Sequence, residues 1–239
     1  MRELEENIEN LLIRYKNDEE NLYDAINDYE EVLKQQGKNA PGMLMCHYDI
    51  SSQAFLKFYT GYSLGYNLDD FKDDIELIIN HTLASWEGDV YEDIEKSLEL
   101  AIIFDIRSSE LNDLINLLQK YNYKDKFLDL LANYLNPEWE IRSDELQFKK
   151  AVGPLVEVVE LAKTDKTKAV ERLKTYLEKQ WFNMQKEGLI TNKDHLKKDK
   201  YRGYWSIEAA ALVKMLNLDD KELKECKYYP YDLAHYKRN

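Results

Sequence analysis

Adjacent carboxylates are the feature of this 239-residue sequence that could most readily support chemistry. Between residues 69 and 93 they occur as three pairs: Asp69-Asp70, Asp73-Asp74 and Glu92-Asp93. Paired carboxylates hold Mg²⁺ in nucleases and other metal-dependent hydrolases. Neighbouring residues of a helix do not share a face, however, and the first two pairs crowd a predicted helix start, where acids are favoured by the helix dipole. We therefore favour a solvated acidic surface and retain a metal-dependent hydrolase as the alternative.

Histidine and cysteine give no further indication of a metal or cofactor site. The four histidines form no HExxH or HxxxH spacing, and Cys46 and Cys226 belong to no CxxC pair. The sequence also contains no Walker loop and no GxGxxG loop for binding phosphates. We expect neither a cofactor nor a metal nor enzymatic activity.

Charge is distributed unevenly along the chain. Residues 1–100 contain 8 Lys and Arg against 23 Asp and Glu, a net charge of −15, whereas residues 141–239 contain 21 against 16, a net charge of +5. Nucleic-acid binding requires Lys and Arg to displace the counterions of the phosphates, so the acidic half would repel nucleic acid. It would instead attract a basic protein, and electrostatic steering would accelerate their association.

One carboxylate lies in an apolar setting, in the stretch "RGYWSIEAAALVKMLNLDD" that begins at Arg202. Trp205, Ala209, Leu212 and Leu216 have the spacing of one helix face, which predicts core packing. Glu208 then becomes a structural residue that bonds backbone donors, a tyrosine or Arg202. Asn217 is predicted to end this helix in the left-handed conformation, and Asp219 with Glu222 has capping-box spacing for the next helix.

The elements that must position these residues are predicted to be helices throughout, because the chain has only 8 Gly, 4 Pro and long runs of helix-compatible residues. We expect an all-α fold of packed antiparallel helix hairpins, a pattern that permits solenoid-like stacking, in two abutting halves. The Asn136-Pro137 step predicts the boundary between an acidic domain, 1–136, and a C-terminal domain, 137–239.

Several local patterns specify the helices further. A stripe of Ile8, Leu12, Tyr15, Leu22, Ile26, Tyr29 and Leu33, interrupted at Glu19, predicts an amphipathic first helix or helix pair. Gly153-Pro154 predicts a helix break, 166–187 a long helix, and 191–199 a short basic helix or loop. No apolar run reaches the 18 residues needed for a membrane span, and the N-terminus lacks an apolar signal segment, so we expect a soluble cytosolic protein that does not bind membranes.

The sequence closely resembles the C-terminal part of the PoNi immunity proteins, which protect bacteria against PoNe-type DNase toxins. The residues that carry this resemblance are Gly203, Tyr204, Trp205, Ser206, Glu208, the three alanines that follow, Leu218, Asp219, Asp220, Tyr229, Pro230, Tyr231 and Asp232. A weaker resemblance to the N-terminal part of the family covers "YSLGYNLDDFKDD" from Tyr62 and "SLELAIIFDI" from Ser97. The segment from about 110 to 195 carries no motif that we match.

The resemblance implies an all-helical, non-enzymatic cytosolic protein that binds the nuclease domain of one toxin and blocks it. The charge distribution indicates a partner of the same kind, because a DNase must present a basic surface to DNA. We predict that the contacts come from the acids of the N-terminal half: Asp69, Asp70, Asp73, Asp74, Glu87, Asp89, Glu92 and Asp93. A helical scaffold for another basic protein is the remaining alternative.

Overall fold

The computed structural model describes residues 8–183 and 201–237, which contain helices and no β-strand, so the predicted all-α class is confirmed. The described ranges hold ten α-helices: α1 Ile8–Gln36, α2 Met43–Leu64, α3 Lys72–Ser85, α4 Tyr91–Ile103, α5 Ser109–Lys120, α6 Lys126–Leu135, α7 Lys149–Ala162, α8 Lys166–Tyr176, α9 Ile207–Leu216 and α10 Tyr231–Ala234. Two 3₁₀ turns, Leu68–Phe71 and Lys221–Leu223, and one π-helical turn, Leu177–Trp181, accompany them.

Contacts divide the chain into two units. The first comprises Met1–Ser97, Ser109–Leu117 and Lys193–Gly203, and the second comprises Leu98–Ser108, Leu118–Asn192 and Tyr204–Asn239. Hydrogen bonds within the second unit cross the expected boundary at Asn136, since Asp129 accepts from Arg142. The boundary itself stays a prediction. The predicted basic segment 191–199 lies outside the described residues.

In the first unit, the buried face of α1 differs in phase from the predicted stripe. Leu11, Asp18 and Leu22 are the buried residues of this helix, whereas Leu12 and Leu33 are exposed. The expected core set was therefore wrong at both leucines. Leu11, Asp18 and Leu22 follow i, i+7, i+11 spacing and share one face. The predicted stripe shares Leu22 with this face but omits Asp18, because an aspartate is not an apolar residue.

Asp18 is buried because it meets cationic and hydroxyl donors. Arg202 donates to both carboxylate oxygens, from Nη2 at 2.7 Å and from Nε at 3.0 Å, and the Thr60 hydroxyl donates at 2.7 Å. Ser63 of α2 donates to the carbonyl oxygen of Arg202 at 2.6 Å. These bonds attach the chain around Arg202 to α1 and α2 and satisfy a charge that burial alone would disfavour.

Helix α2 approaches its neighbours closely at Gly61. A Cβ atom on Gly61 would lie 2.3 Å from the ring of Phe71 and 2.9 Å from that of Tyr15, so no larger residue fits without rearrangement. Gly65, at φ +82°, then ends the helix in the left-handed conformation. The backbone of α2 is thus in direct contact with the aromatic core of the first unit.

Residues 61–65 read GYSLG, which has the GxSxG spacing of a nucleophile elbow. That motif requires an exposed serine on a sharp turn between a strand and a helix. Ser63 instead lies within the last turn of α2, is fully buried, and donates to the carbonyl oxygens of Tyr59 and Arg202. The pattern is part of the packing of α2 and does not form a nucleophile elbow.

In the second unit, buried aspartates organise the chain around α6. Asp125 caps the helix by accepting from the backbone N–H groups of Phe127 and Leu128. Asp129, one turn later, accepts from the indole of Trp139 and from the backbone and guanidinium of Arg142. The segment after α6 therefore folds back over the helix without regular secondary structure of its own.

The predicted break at Gly153-Pro154 is absent, because α7 continues through both residues. Pro154 lies in the second turn, where its missing N–H leaves the Lys150 carbonyl without its helical donor close to the helix end. Helix α7 packs against α8, which begins at an Asp165 cap. A single long helix was predicted over 166–187, but α8 ends at Tyr176 and a π-helical turn begins at Leu177.

Helix α9 is buried on most of its surface. Ala209, Ala210 and Ala211 are fully buried although they point to three different sides of the helix. Asn217 ends α9 in the left-handed conformation, at φ 48°, as predicted. Trp205 was wrongly placed on this helix: it precedes α9 and is half-buried, so its truncation should cost less than that of a fully buried tryptophan.

Candidate partner-binding surface

The first acidic group lies at the start of α3, in the first unit. Asn67 caps the 3₁₀ turn by accepting from the backbone of Asp69, and Asp69 pairs with Lys72 at 2.9 Å. Asp70 and Asp73 are exposed. Acidic residues are favoured here because the free N–H groups of a helix start carry partial positive charge.

Asp74 differs from the other acids at this helix start, because it is buried. Both of its carboxylate oxygens lie 3.0 Å from Lys57 Nζ. Burial raises the pKa of Asp74 above its ordinary value, although Lys57 opposes the shift. Asp74 is thus a packing residue of α2 and α3. It is unsuited to direct contact with a partner, and we remove it from the predicted contact set.

The second acidic group surrounds the start of α4. Glu87 and Asp89 are exposed in a short loop that is closed by the Trp86 indole, which donates to the Val90 carbonyl at 2.7 Å. Glu92 and Asp93, in the first turn of α4, are half-buried. Burial raises the pKa of Asp93, against the opposing effect of Lys96.

The predicted acids therefore have two different sets of neighbours. Asp70 and Asp74 lie near Tyr15 of α1, whose pKa is raised by burial and by Glu19 and these two carboxylates. Asp89, Glu92 and Asp93 lie near Tyr48 of α2, whose pKa is raised by burial first and then by these acids together with Asp49.

Exposed apolar side chains were missed at the sequence level. Helices α1 and α2 expose several large ones: Leu12, Ile13, Tyr23, Leu33, Leu44, Met45 and Tyr48. Two of these, Leu12 and Leu33, belong to the predicted apolar stripe of α1. Asp18 lies on the buried face of α1. Recognising Asp18 as a buried residue would have indicated that Leu12 and Leu33 are exposed.

A pair of histidines joins α2 to α3 in the same unit. His47 Nδ1 lies 2.9 Å from His81 Nδ1, and the ring of Tyr29 packs against both. One ring must donate and the other accept, so the contact needs at least one neutral histidine. Burial lowers the pKa of both rings, and that of His81 falls to about 4, with His47 contributing.

We expect this histidine pair to reduce stability in acid. A lowered folded-state pKa means that the unfolded chain binds protons first, so stability is lost as pH falls below about 6.5 and continues to fall towards about 4. Allowing for partial exposure, the loss between pH 7.5 and pH 5 should be about 1 kcal/mol. Urea unfolding of the wild type and of His81→Gln at both pH values measures it. Equal pH dependence in the two proteins would refute the assignment.

The C-terminal carboxylate Glu208 is held by an aromatic hydroxyl in the second unit. Tyr176 donates to Glu208 Oε1 at 2.8 Å, and Ser206 and Trp181 also lie beside the carboxylate. Burial of the carboxylate raises its pKa despite these contacts. Of the expected partners, the tyrosine is confirmed and Arg202 is wrong, because Arg202 pairs with Asp18.

The predicted capping box of Asp219 and Glu222 is absent. Asp219 is exposed and pairs with Lys221, while the next residue, Asp220, is buried. Asp220 accepts from the Tyr229 hydroxyl and lies 3.0 Å from His235 Nε2. A capping box is predicted from residues only three positions apart. The position of Asp220 instead depends on contacts with residues nine and fifteen positions later in the chain.

The remaining signature residues surround this cluster or lead into α9. Tyr231 begins α10 after Pro230, and its ring centroid lies 4.3 Å from that of His235. Asp232, the next residue of α10, is exposed. Gly203 is buried at φ +95°, a conformation that favours glycine. Tyr204 is half-buried and its ring meets Phe182 edge-on.

Within residues 8–183 and 201–237, no three His, Cys, Asp or Glu side chains converge in a way that could hold a metal ion. Among the helices described, none combines the length and apolar content needed to cross a bilayer.

Comparison with known proteins identifies the C-terminal part of the chain. Residues 123–233 match the family model of the PoNe immunity proteins (PoNi), C-terminal. This region is similar to the C-terminal part of PoNi proteins. No curated protein and no solved structure matches the chain. The similarity to PoNi begins at Tyr123, well before the signature, and so covers most of the segment from about 110 to 195, in which we had matched no motif.

The PoNi region contains the Asp129, Glu208 and Asp220 clusters described above. Each of these carboxylates is bonded to side chains distant in the sequence, and all three lie within the second unit. The predicted partner-binding acids, residues 69–93, precede the PoNi match. Their role stays a prediction, as does the weaker resemblance of the N-terminal half.

Proposed function

We propose that this chain is an immunity protein that binds and neutralises a cognate PoNe-type DNase toxin in the cytoplasm, where the DNA is. The match of residues 123–233 to the PoNe immunity proteins carries the proposal. The partner is then the nuclease domain of the toxin, and this chain acts by binding it without chemistry of its own.

Charge supports the choice of binding surface. A DNase must hold the phosphates of its substrate with Lys and Arg, which makes its DNA-binding face basic. Residues 1–100 carry a net charge of −15, and Asp70, Asp73, Glu87 and Asp89 are exposed on the first unit. An acidic surface of this kind would be attracted to the basic face and would occupy it in place of DNA.

The proposal is tested with the nuclease domain of the toxin encoded beside the gene for this chain. Co-expression of this chain should restore growth of bacteria that express the nuclease domain, and purified chain should inhibit DNA cleavage at a one-to-one ratio. Bovine DNase I serves as the unrelated nuclease and should remain active. If the chain neither binds the domain nor protects the cells, the proposed function is wrong.

Charge reversal should slow formation of the complex. We expect the triple variant Asp73→Lys, Glu87→Lys, Asp89→Lys to lower the association rate constant by about 10-fold or more at 50 mM salt, because steering depends on net charge. The difference should shrink at 500 mM salt, where screening is strong. Stopped-flow mixing with the nuclease domain measures both rates.

The matched control reverses three exposed acids of the second unit, Glu171, Glu178 and Glu225. Its net charge changes equally, so a surface-specific effect should be smaller in the control. Equal slowing by both triple variants would show that net charge acts without a preferred acidic surface.

A further inference from the structure

Exposed apolar residues form a compact group at the start of α2. Met45 is 58% exposed, Leu44 is 41% exposed and Tyr48 is 38% exposed. Tyr48 lies four residues after Leu44 and three after Met45, so its side chain neighbours both on the surface of α2. Single exposed apolar residues are ordinary, but a contiguous group indicates an interaction site.

Hydrogen bonds connect α4 to α2 through α3. The Ser51 hydroxyl lies 2.8 Å from that of Thr82, and the Ser97 hydroxyl donates to Thr82 at 3.2 Å, so α2 and α4 are linked through α3. Lys96 also lies over the ring of Phe55, 4.7 Å from its centroid. Tyr48 lies one turn before Ser51, and Asp93 lies one turn before Ser97.

Acids at the start of α4 and just before it therefore lie near Tyr48 of the apolar group. Burial is the main cause that raises the pKa of the Tyr48 hydroxyl, and Asp93, Glu92, Asp89 and Asp49 of α2 raise it further. Asp49 is in turn influenced by Asp28 of α1. Tyr48 is thus a partly exposed aromatic side chain whose hydroxyl is influenced by several carboxylates.

We propose that Leu44, Met45 and Tyr48, bordered by Asp89, Glu92 and Asp93, are the anchor site at which the chain docks a basic protein surface. We call these six residues the α2 patch. This inference rests on the proposed function and identifies the part of the acidic unit that holds the toxin. The occupant is a cationic face of the nuclease domain that presents a Lys or Arg side chain.

The chemistry of the α2 patch fits a Lys or Arg side chain from a protein. The aliphatic stem of such a residue packs on Met45 and Leu44, its charged head reaches the carboxylates, and the ring of Tyr48 favours a cation above it. Tyr and Met are enriched at the centres of protein interfaces, where a few side chains supply most of the affinity. Asp70 and Asp73 would then contribute to steering rather than to the anchor.

The other exposed apolar residues of the first unit provide matched controls. Tyr23 is 67% exposed and Ile13 is 58% exposed, and both lie on the outer face of α1. This face also carries exposed acids, Glu20 and Asp24, and Lys16 on it pairs with Glu20. Tyr23 and Ile13 therefore match Tyr48 and Met45 in chemistry and in their acidic surroundings, and they differ in their position on the unit.

The test measures affinity for the purified nuclease domain by titration calorimetry. We expect Tyr48→Ser and Met45→Arg each to weaken binding by about 30-fold or more, the loss typical of an anchor residue. Tyr23→Ser and Ile13→Arg should change it by less than about 3-fold. Circular dichroism and thermal unfolding show whether each variant is folded, and Met45→Arg keeps the test valid if Tyr48→Ser is unstable, because Met45 is more exposed.

The outcomes separate the two proposals. The anchor site is supported if the wild type binds, if Tyr48→Ser and Met45→Arg strongly weaken the affinity, and if Tyr23→Ser and Ile13→Arg change it little. Wild-type binding that is unaffected by Met45→Arg overturns the anchor site and leaves the immunity function standing. Absence of binding and of protection by the wild type overturns the immunity function, and the anchor site with it.

Discussion

Replacing Asp129 by alanine is expected to lower the free energy of unfolding by about 3–5 kcal/mol, the cost of removing one partner from a buried ion pair. Asp129 is fully buried and accepts from the Arg142 guanidinium at 2.7 and 3.0 Å, the Arg142 backbone at 2.8 Å and the Trp139 indole at 3.0 Å. The variant leaves these donors without an acceptor. Urea unfolding monitored by circular dichroism measures the change.

Arg142 also donates to the Tyr123 carbonyl at 2.9 Å, so the cluster fixes the segment before α6 as well as the segment after it. Asp144→Ala is the matched control, because Asp144 forms an exposed pair with Lys126 at 3.0 Å. An exposed pair contributes at most about 1 kcal/mol. If Asp129→Ala were no more destabilising than Asp144→Ala, the Asp129 cluster would not be a principal source of stability.

We expect Asp18→Ala to have a similarly large effect in the first unit, about 3–5 kcal/mol. The carboxylate of Asp18 is fully buried and is the shared acceptor for Arg202 and Thr60. Without it, the Arg202 guanidinium loses two charge-assisted bonds, and the chain around Arg202 loses its attachment to α1. Chemical unfolding and limited proteolysis near Arg202 should both report the change.

Glu19→Ala serves as the control for this site, because Glu19 is the exposed neighbour of Asp18 on the same helix. A double-mutant cycle with Arg202→Ala isolates the pair: removal of both partners should cost less than the sum of the single changes. Additive losses would indicate that the two side chains stabilise the unit independently.

These two clusters explain why the sequence predicted some features and missed others. The pattern of α1 predicted a helix correctly, yet its core phase was wrong because Asp18 occupies a core position. The sequence could not supply the reason, since the compensating cation is 184 residues away. Similarly, Asp219 was chosen as a cap from local spacing, while the buried residue is Asp220, which is fixed by Tyr229 and His235.

The acidic surface also combines features that the sequence predicts with features that it does not. Asp73 and Asp74 are adjacent and chemically identical, but Asp73 is exposed and Asp74 pairs with Lys57 inside the unit. Composition gives the net charge of this half without assigning any single acid to the surface. The exposed apolar residues of α2 could not be recognised either, since an amphipathic pattern gives two faces and does not state which of them is covered.

The sequence by itself determined the helical class, the uneven charge and the similarity to PoNi, because helix propensity, composition and motif depend on residues close together in the chain. The tertiary structure alone decided which carboxylates are buried and bonded, as at Asp18, Asp74 and Asp129, and which apolar side chains stay exposed, as at Met45 and Tyr48. Burial depends on which face of each helix meets another helix, and that is set by contacts between residues far apart in the sequence.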